Sequence, residues 1–92
     1  MSIGRENMFK NRSTDGRLNI SGKRIAELRM AMPGKVSQRE LADRLQLLGL
    51  DLGKNAIQQI ESGERFVTDI ELKALAQVLG VTADDLISGE TS

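Results

Sequence analysis

The chain has 92 residues, a length that supports one domain with a single modest core. Because it contains no cysteine and no histidine, it has no disulfides, thiol nucleophiles or zinc sites, and it lacks the most common general base. We therefore expect no catalytic residues, no metal site and no cofactor, and a protein that is not an enzyme.

The net charge is zero and the sequence pI is about 6.2, which taken alone argues against a nucleic-acid binder. The charges are segregated along the chain, however. Residues 1–65 hold 12 Lys and Arg against 8 Asp and Glu, whereas residues 66–92 hold 1 against 5. Such asymmetry lets one surface attract phosphate while another stays acidic, although a mixed solvated surface produces it as well.

No segment approaches the roughly 20 consecutive apolar residues that span a bilayer, and none has the pattern of a secretory leader. The absence of disulfides suits a reducing compartment. We therefore expect a soluble, cytoplasmic protein that does not contact membranes.

Residues 1–20 mix Arg, Asn, Ser, Gly and Asp with isolated apolar residues that follow no helical or strand period. This composition predicts a flexible N-terminal arm. Its basic residues, which suit contacts with phosphates or a minor groove, are Arg5, Lys10, Arg12 and Arg17. A solvated tail explains the same composition. The folded domain is then expected over 21–88, followed by a short tail over 89–92.

Two helices are predicted in the first half of this domain. The first spans residues 22–32, and its apolar positions at spacings of three and four are Ile25, Leu28 and Met32. Pro33 and Gly34 break it. A second helix begins at Ser37, which with Glu40 has the Ser-x-x-Glu spacing of a capping box, and Gly49 is placed to end it in a left-handed turn.

Three further helices are predicted in the second half. A short third helix spans 54–61, and a fourth spans 69–79 after the capping-box spacing of Thr68 and Glu71. Gly80 ends the fourth helix, and a last turn through Asp84 and Asp85 lets Leu86 and Ile87 reach the core. Strand signals are absent, so the sequence predicts an all-α bundle of five short helices with an aliphatic core.

The third helix carries amide and cationic side chains on its outer face, namely Lys54, Asn55, Gln58 and Gln59. Amides donate and accept at once, as the major-groove edge of adenine requires, and Lys donates to the acceptors of guanine. These amide and lysine side chains are therefore suited to contacts with base edges. From residue types alone, an ordinary hydrophilic helix face explains them better.

The order of the segments from Ile25 to Leu86 resembles the Cro and phage-repressor type of helix-turn-helix family. The matching segments are GKRIAELR, SQRELADRL, NAIQQIESG and TDIELKALAQVLGVTADDL. The resemblance implies a lambda-repressor-like bundle that binds double-stranded DNA sequence-specifically as a bacterial or phage transcriptional regulator, most simply a repressor. It also implies that the helix over residues 54–61 is the recognition helix, which lies in the major groove.

The resemblance assigns roles to individual residues. Base contacts fall on Lys54, Asn55 and Gln59, with Gln58 near the rim and able to contact base or backbone. Phosphate contacts fall on Gln38, which in the family meets a phosphate or an adjacent side chain, and on Arg65, with Arg24 and Lys35 as weaker candidates. Glu61 matches a family glutamate with a structural role.

The chain departs from the family between helices two and three, where residues 46–53 make the connection about five residues longer than the usual tight turn. Helix two is extended by a turn, with Leu48, Leu50 and Leu52 adding to the core, or else the recognition helix lies at an altered angle. In either case, the match between residues of the recognition helix and the bases they contact differs from that of the family.

One such helix reads only a few base pairs, so the resemblance implies a homodimer on a palindromic site. The alternative is a protein-interaction module or antitoxin-like partner protein with the same fold, which would bind through Leu47, Leu50, Leu52 and the acidic closing helices. A weaker hypothesis is an enzyme in which Asp84 with Asp85, or Glu61 with Glu64, binds a metal or acts as an acid–base pair. The Asp pair is more simply explained by the helix dipole, since it lies at a helix N-terminus, and nothing in the sequence gathers these acids into a pocket.

Overall fold

A computed structural model describes residues 16–88, which form five α-helices and no strand. The helices are α1 (Gly22–Ala31), α2 (Gln38–Leu47), α3 (Lys54–Ser62), α4 (Asp69–Leu79) and α5 (Ala83–Ser88). The predicted all-α bundle is thereby confirmed for this part of the chain. No helix in it is long and apolar enough to cross a membrane. Residues 1–15 of the predicted arm, and the predicted tail over 89–92, lie outside the described residues.

Side-chain caps start three of the helices, α2, α4 and α5, and at α5 Thr82 Oγ1 accepts from the Asp85 amide at 3.1 Å. Thr68 and Glu71 form a complete capping box at α4, with both reciprocal hydrogen bonds at 3.1 Å. At α2, Ser37 Oγ accepts from the Glu40 amide at 3.0 Å, while the Glu40 carboxylate pairs with Arg44 one turn later. These bonds satisfy amides that a helix N-terminus otherwise leaves without acceptors, and they fix where each helix begins.

Glycine in the left-handed conformation ends α2 as predicted. Gly49 has a φ of 87°, its amide donates to the Gln46 carbonyl at 2.9 Å, and the Leu50 amide donates to the Leu45 carbonyl at 3.1 Å. This pair of bonds is the Schellman motif, and Leu50 completes it by packing partly against the core. The turn therefore ends α2 sharply and directs the following segment back toward the bundle.

The core is aliphatic and draws on all five helices. Its buried residues are Ile25, Val36, Leu41, Ala42, Leu45, Leu52, Ile57, Ile60, Leu75, Ala76, Leu79 and Leu86. Each helix contributes one face: Ile57 and Ile60 fix the inner face of α3, and Leu86 attaches the short α5. The outer face of α3 is consequently directed away from the bundle.

The long connection between α2 and α3 is a loop over residues 48–53 and not an added helical turn, since α2 ends at Leu47. Leu52 is buried and Leu50 is half-buried, as expected. The expectation that Leu48 joins the core is wrong, because the left-handed turn at Gly49 leaves Leu48 on the outside at 44% exposure. The connection is thus anchored to the core through its second half.

This anchoring predicts unequal effects of two leucine substitutions. Leu52→Ala removes a buried side chain and is expected to lower the free energy of unfolding by about 2–4 kcal/mol. Leu47→Ala removes a side chain that is 86% exposed, and the change is expected to stay within about 0.5 kcal/mol. Urea unfolding followed by circular dichroism measures both. Equal, small effects would show that the loop does not pack as described.

Candidate nucleic-acid interface

The outer face of α3 presents the four side chains predicted for base contact, and the structure brings all four together. Lys54, Asn55, Gln58 and Gln59 are exposed, and within the described part of the chain their side chains form no hydrogen bond or ion pair. A helix of nine residues is about 13 Å long. The face is therefore a compact polar surface whose donors and acceptors are free for a ligand.

The first turn of α3 lies at an open helix N-terminus. Gly53 is the N-cap and provides no side-chain acceptor, so the amides of this turn remain free. A cavity of about 130 Å³ lies between this turn and α2, and its charged lining residues are Arg39, Asp43, Asp51 and Lys54. Sequence reasoning missed Arg39, although its position directly after Gln38 at the start of α2 was a usable signal.

A buried ion pair holds the inner side of α3. Arg29 Nε donates to Glu61 Oε2 at 2.7 Å, and a second guanidinium nitrogen donates to Glu61 Oε1 at 3.0 Å. The two side chains are only 12% and 7% exposed. The hydrogen bonds that Arg29 donates to Glu61 raise the pKa of Arg29, with burial opposing and the charge of Glu61 reinforcing the shift. The two side chains therefore join α1 to α3.

The same ion pair fixes the start of α2. Gln38 Nε2 donates to Glu61 Oε1 at 2.9 Å, and Arg29 also donates to the Val36 carbonyl at 2.9 Å. Gln38 thus meets an adjacent side chain, one of the two roles that the resemblance implied, and Glu61 makes structural contacts. The orientation of α3 relative to α2 is determined by these contacts.

The C-terminal end of α3 is capped by residues 17–22, which precede and begin α1. Arg17 donates to the Glu61 carbonyl at 2.7 Å, and the Leu18 amide donates to the Gly63 carbonyl at 2.9 Å. These bonds satisfy carbonyls that α3 leaves free, and they place a positive charge at the negative end of its dipole. Residues 17–19, assigned from sequence to the arm, therefore pack against the domain.

Asn19 joins the start of α1 to the end of α3. Its amide nitrogen donates to the Ile60 carbonyl at 3.0 Å and to the Arg65 carbonyl at 2.8 Å, and its oxygen accepts from the Gly22 amide at 2.7 Å. Gly22 itself lies against the Ile60 carbonyl, where a larger residue has no room. Sequence reasoning missed this role of Asn19, because nothing local marks a contact with carbonyls more than 40 residues away.

The remaining phosphate candidates are dispersed around α3. Arg65 forms a bidentate ion pair with Glu71 at 3.0 and 3.2 Å. Burial opposes ionisation of Glu71, but hydrogen bonds from Arg65 and Thr68 outweigh it and lower the pKa of Glu71. Arg24 lies on α1 beside Glu27, 3.5 Å away. Lys35 is exposed just before α2, at a φ of 56°. Of these, Lys35 is the most accessible to a ligand.

Comparison with known proteins agrees with this architecture. Residues 25–86, more than half of the chain, match the sequence model of a helix-turn-helix family. The matched range begins in α1 and ends in α5, so it includes the whole bundle that positions α3. No curated protein and no solved structure matches the chain.

The close contact at Gly22 predicts a sharp effect of adding one methyl group. In Gly22→Ala, the new Cβ overlaps the Ile60 carbonyl oxygen, so α1 and the end of α3 must separate. We expect the free energy of unfolding to fall by about 1–3 kcal/mol, even though alanine favours helix. In the control Gly53→Ala, the Cβ meets no atom within 4 Å, and the loss should stay below about 1 kcal/mol. A neutral or stabilising Gly22→Ala would contradict the described contact.

Proposed function

The chain belongs to the Cro and phage-repressor type of helix-turn-helix family, whose domains bind DNA in transcription regulators, and from this we propose that it is a sequence-specific DNA-binding repressor with α3 as the recognition helix. The family is one of DNA-binding regulators and not of enzymes. A bacterial or phage regulator of this kind acts in the cytoplasm, where its DNA target is.

One observation carries the proposal, namely the free polar face of α3 on a helix whose other sides are held by the domain. Asn55, Gln58 and Gln59 offer amides that pair with the major-groove edge of adenine, and Lys54 offers donors to guanine. The major groove is about 12 Å wide and admits an α-helix. A helix that is fixed before DNA arrives loses little conformational entropy on binding, which favours specific contacts.

Phosphate contacts then surround the base contacts. We assign them to the start of α2 through Gln38 and Lys35, and to the free amides at the start of α3. Arg39 is added because it lines the same cavity as Lys54. Arg24 is a peripheral contact, and Arg65 reaches phosphate only with the N–H groups that Glu71 leaves free. These contacts fix register on the duplex, whereas the α3 face specifies sequence.

The small number of base pairs that one α3 helix can contact implies that two copies of the chain bind the DNA. One recognition helix contacts only a few base pairs, so a homodimer on a palindromic site gives the length of sequence that a regulator needs. Two half-sites one helical turn apart, about 34–36 Å, are then read by two α3 helices on the same side of the duplex.

The alternative of a protein-interaction module has less support. Its partner surface was expected to be Leu47, Leu50, Leu52 and the acidic closing helices, but Leu52 is buried in the core and Leu50 is half-buried. Only Leu47, at 86%, is fully available. Leu47 and its neighbour Leu48, which is 44% exposed, make only a small apolar surface, and scattered exposed leucines are ordinary on proteins.

Selection from random duplex DNA with the purified chain tests the proposed function. We expect a palindromic motif to be enriched, and its affinity to fall by orders of magnitude between about 50 and 200 mM salt, because several phosphate contacts release counterions. Absence of any enriched motif, together with weak and salt-insensitive retention of DNA, would contradict the proposal.

Substitutions on α3 test the assignment of base contacts. Asn55→Ala and Gln59→Ala are each expected to cost about 1–3 kcal/mol on the enriched site and to relax its sequence preference. The matched control is Gln77→Ala, an exposed amide on α4, which should leave binding unchanged. Fluorescence anisotropy measures the affinities, and circular dichroism confirms folding. If the double variant Asn55→Ala with Gln59→Ala binds its site like the wild type, α3 is not the recognition helix.

A further inference from the structure

The cavity of about 130 Å³ between α2 and the start of α3 has a lining of mixed charge. Its charged residues are two bases and two acids, namely Arg39, Lys54, Asp43 and Asp51. All four are exposed, and within the described part of the chain none of their side chains forms a hydrogen bond or an ion pair. The cavity therefore offers free donors and free acceptors together, which suits a ligand that presents both.

Asp51 lines this cavity because of the long connection between α2 and α3. The next residue, Leu52, is only 5% exposed and anchors the connection to the core. Asp51 lies two residues before the N-cap Gly53 and three before Lys54, the first residue of α3. The N-terminal residues of a recognition helix are the ones that contact base edges. A carboxylate is therefore held beside the end of α3 that reads bases in the proposed function.

The charge of Asp51 opposes binding to DNA in general, because a carboxylate repels phosphates. Neither Arg39 nor Lys54 neutralises it through an ion pair. An unpaired charge at an interface weakens binding to every partner that cannot supply a donor to it, and it thereby contributes to specificity. The chemistry of Asp51 thus indicates a selective contact with a base and not an attraction to the backbone.

Cytosine is the base whose major-groove edge matches a side chain that can only accept. Its exposed polar group is the N4 amino group, a donor that Asp and Glu side chains accept from. Guanine and thymine present acceptors, which repel a carboxylate, and adenine has its N7 acceptor beside its N6 donor. Lys54, which can donate to guanine, lines the same cavity, so Lys54 and Asp51 together match the edge of a G·C pair.

We propose that Asp51 is a specificity-determining residue that accepts a hydrogen bond from the N4 amino group of a cytosine in the recognised sequence. The inference rests on the proposed function and adds to it a base contact from outside α3. Asp43 lines the same cavity but belongs to α2, and in this kind of domain the helix before the recognition helix crosses the DNA backbone. Asp43 is therefore assigned no base.

Selection from random duplex DNA with three forms of the full chain tests this contact. They are the wild type, Asp51→Ala and the matched control Asp43→Ala, which removes the same charge from the same cavity. Both side chains are exposed, so both variants should fold like the wild type, as circular dichroism verifies. We expect a preferred cytosine in the wild-type motif. Asp51→Ala should lose this preference alone, by at least about fivefold in relative affinity, and Asp43→Ala should keep every preference.

A cytosine analogue that lacks the exocyclic amino group, placed at the preferred position, tests the contact at the level of the atom. The wild type should bind the modified duplex at least about fivefold more weakly than the natural one, whereas Asp51→Ala should bind both equally. Fluorescence anisotropy measures the four affinities. An equal loss in the wild type and in Asp51→Ala would show that the amino group has a different partner.

The selections also separate failure of this contact from failure of the proposed function. A wild-type motif without a preferred cytosine, or one that Asp51→Ala leaves unchanged, would overturn the contact while DNA recognition stands. The same change of motif in Asp51→Ala and Asp43→Ala would overturn it as well, because charge alone would then be the cause. If none of the three proteins enriches a motif, sequence-specific DNA binding fails, and the contact fails with it.

Discussion

The buried ion pair between Arg29 and Glu61 is the constraint on which the placement of α3 depends. Two further hydrogen bonds support the pair: Gln38 donates to Glu61, and Arg29 donates to the Val36 carbonyl. Removing one partner leaves the hydrogen-bonding groups of the other without their partner in a part-buried site and is expected to cost about 1–3 kcal/mol, so the three helices that the pair joins do not separate easily. Because Glu61 lies on the inner side of α3, the pair also decides which side of α3 faces outward.

Residues 17–22 complete this support from the other end. They satisfy the C-terminal carbonyls of α3 through Arg17, Leu18 and Asn19, while the N-terminal amides of the same helix remain free. The two ends of α3 thus differ in whether their backbone groups are hydrogen-bonded within the domain. One end is held within the domain, and the other leaves the positive end of the helix dipole and Lys54 exposed. Fixed inner contacts and free outer donors together make α3 suitable for base readout.

The helices could be predicted because their signals are local. Ser37, Thr68 and Gly49 act within one turn of their own positions, and the apolar spacing of each helix shows its inner face. The contacts that orient the helices are not local: Arg29 meets Glu61 across 32 residues, and Asn19 meets the Ile60 carbonyl across 41. The polar face of α3 could be found from residue types, but residues 17–19 seemed part of an arm because their partners lie on another helix.

Chemical footprinting on an enriched duplex tests the central claim, that the outer face of α3 enters the major groove, most directly. Dimethyl sulfate methylates guanine N7, which lies in the major groove, and adenine N3, which lies in the minor groove. The account predicts that the bound chain protects guanine N7 within each half-site and that adenine N3 stays reactive there. Protection confined to adenine N3, with guanine N7 fully reactive, would contradict it.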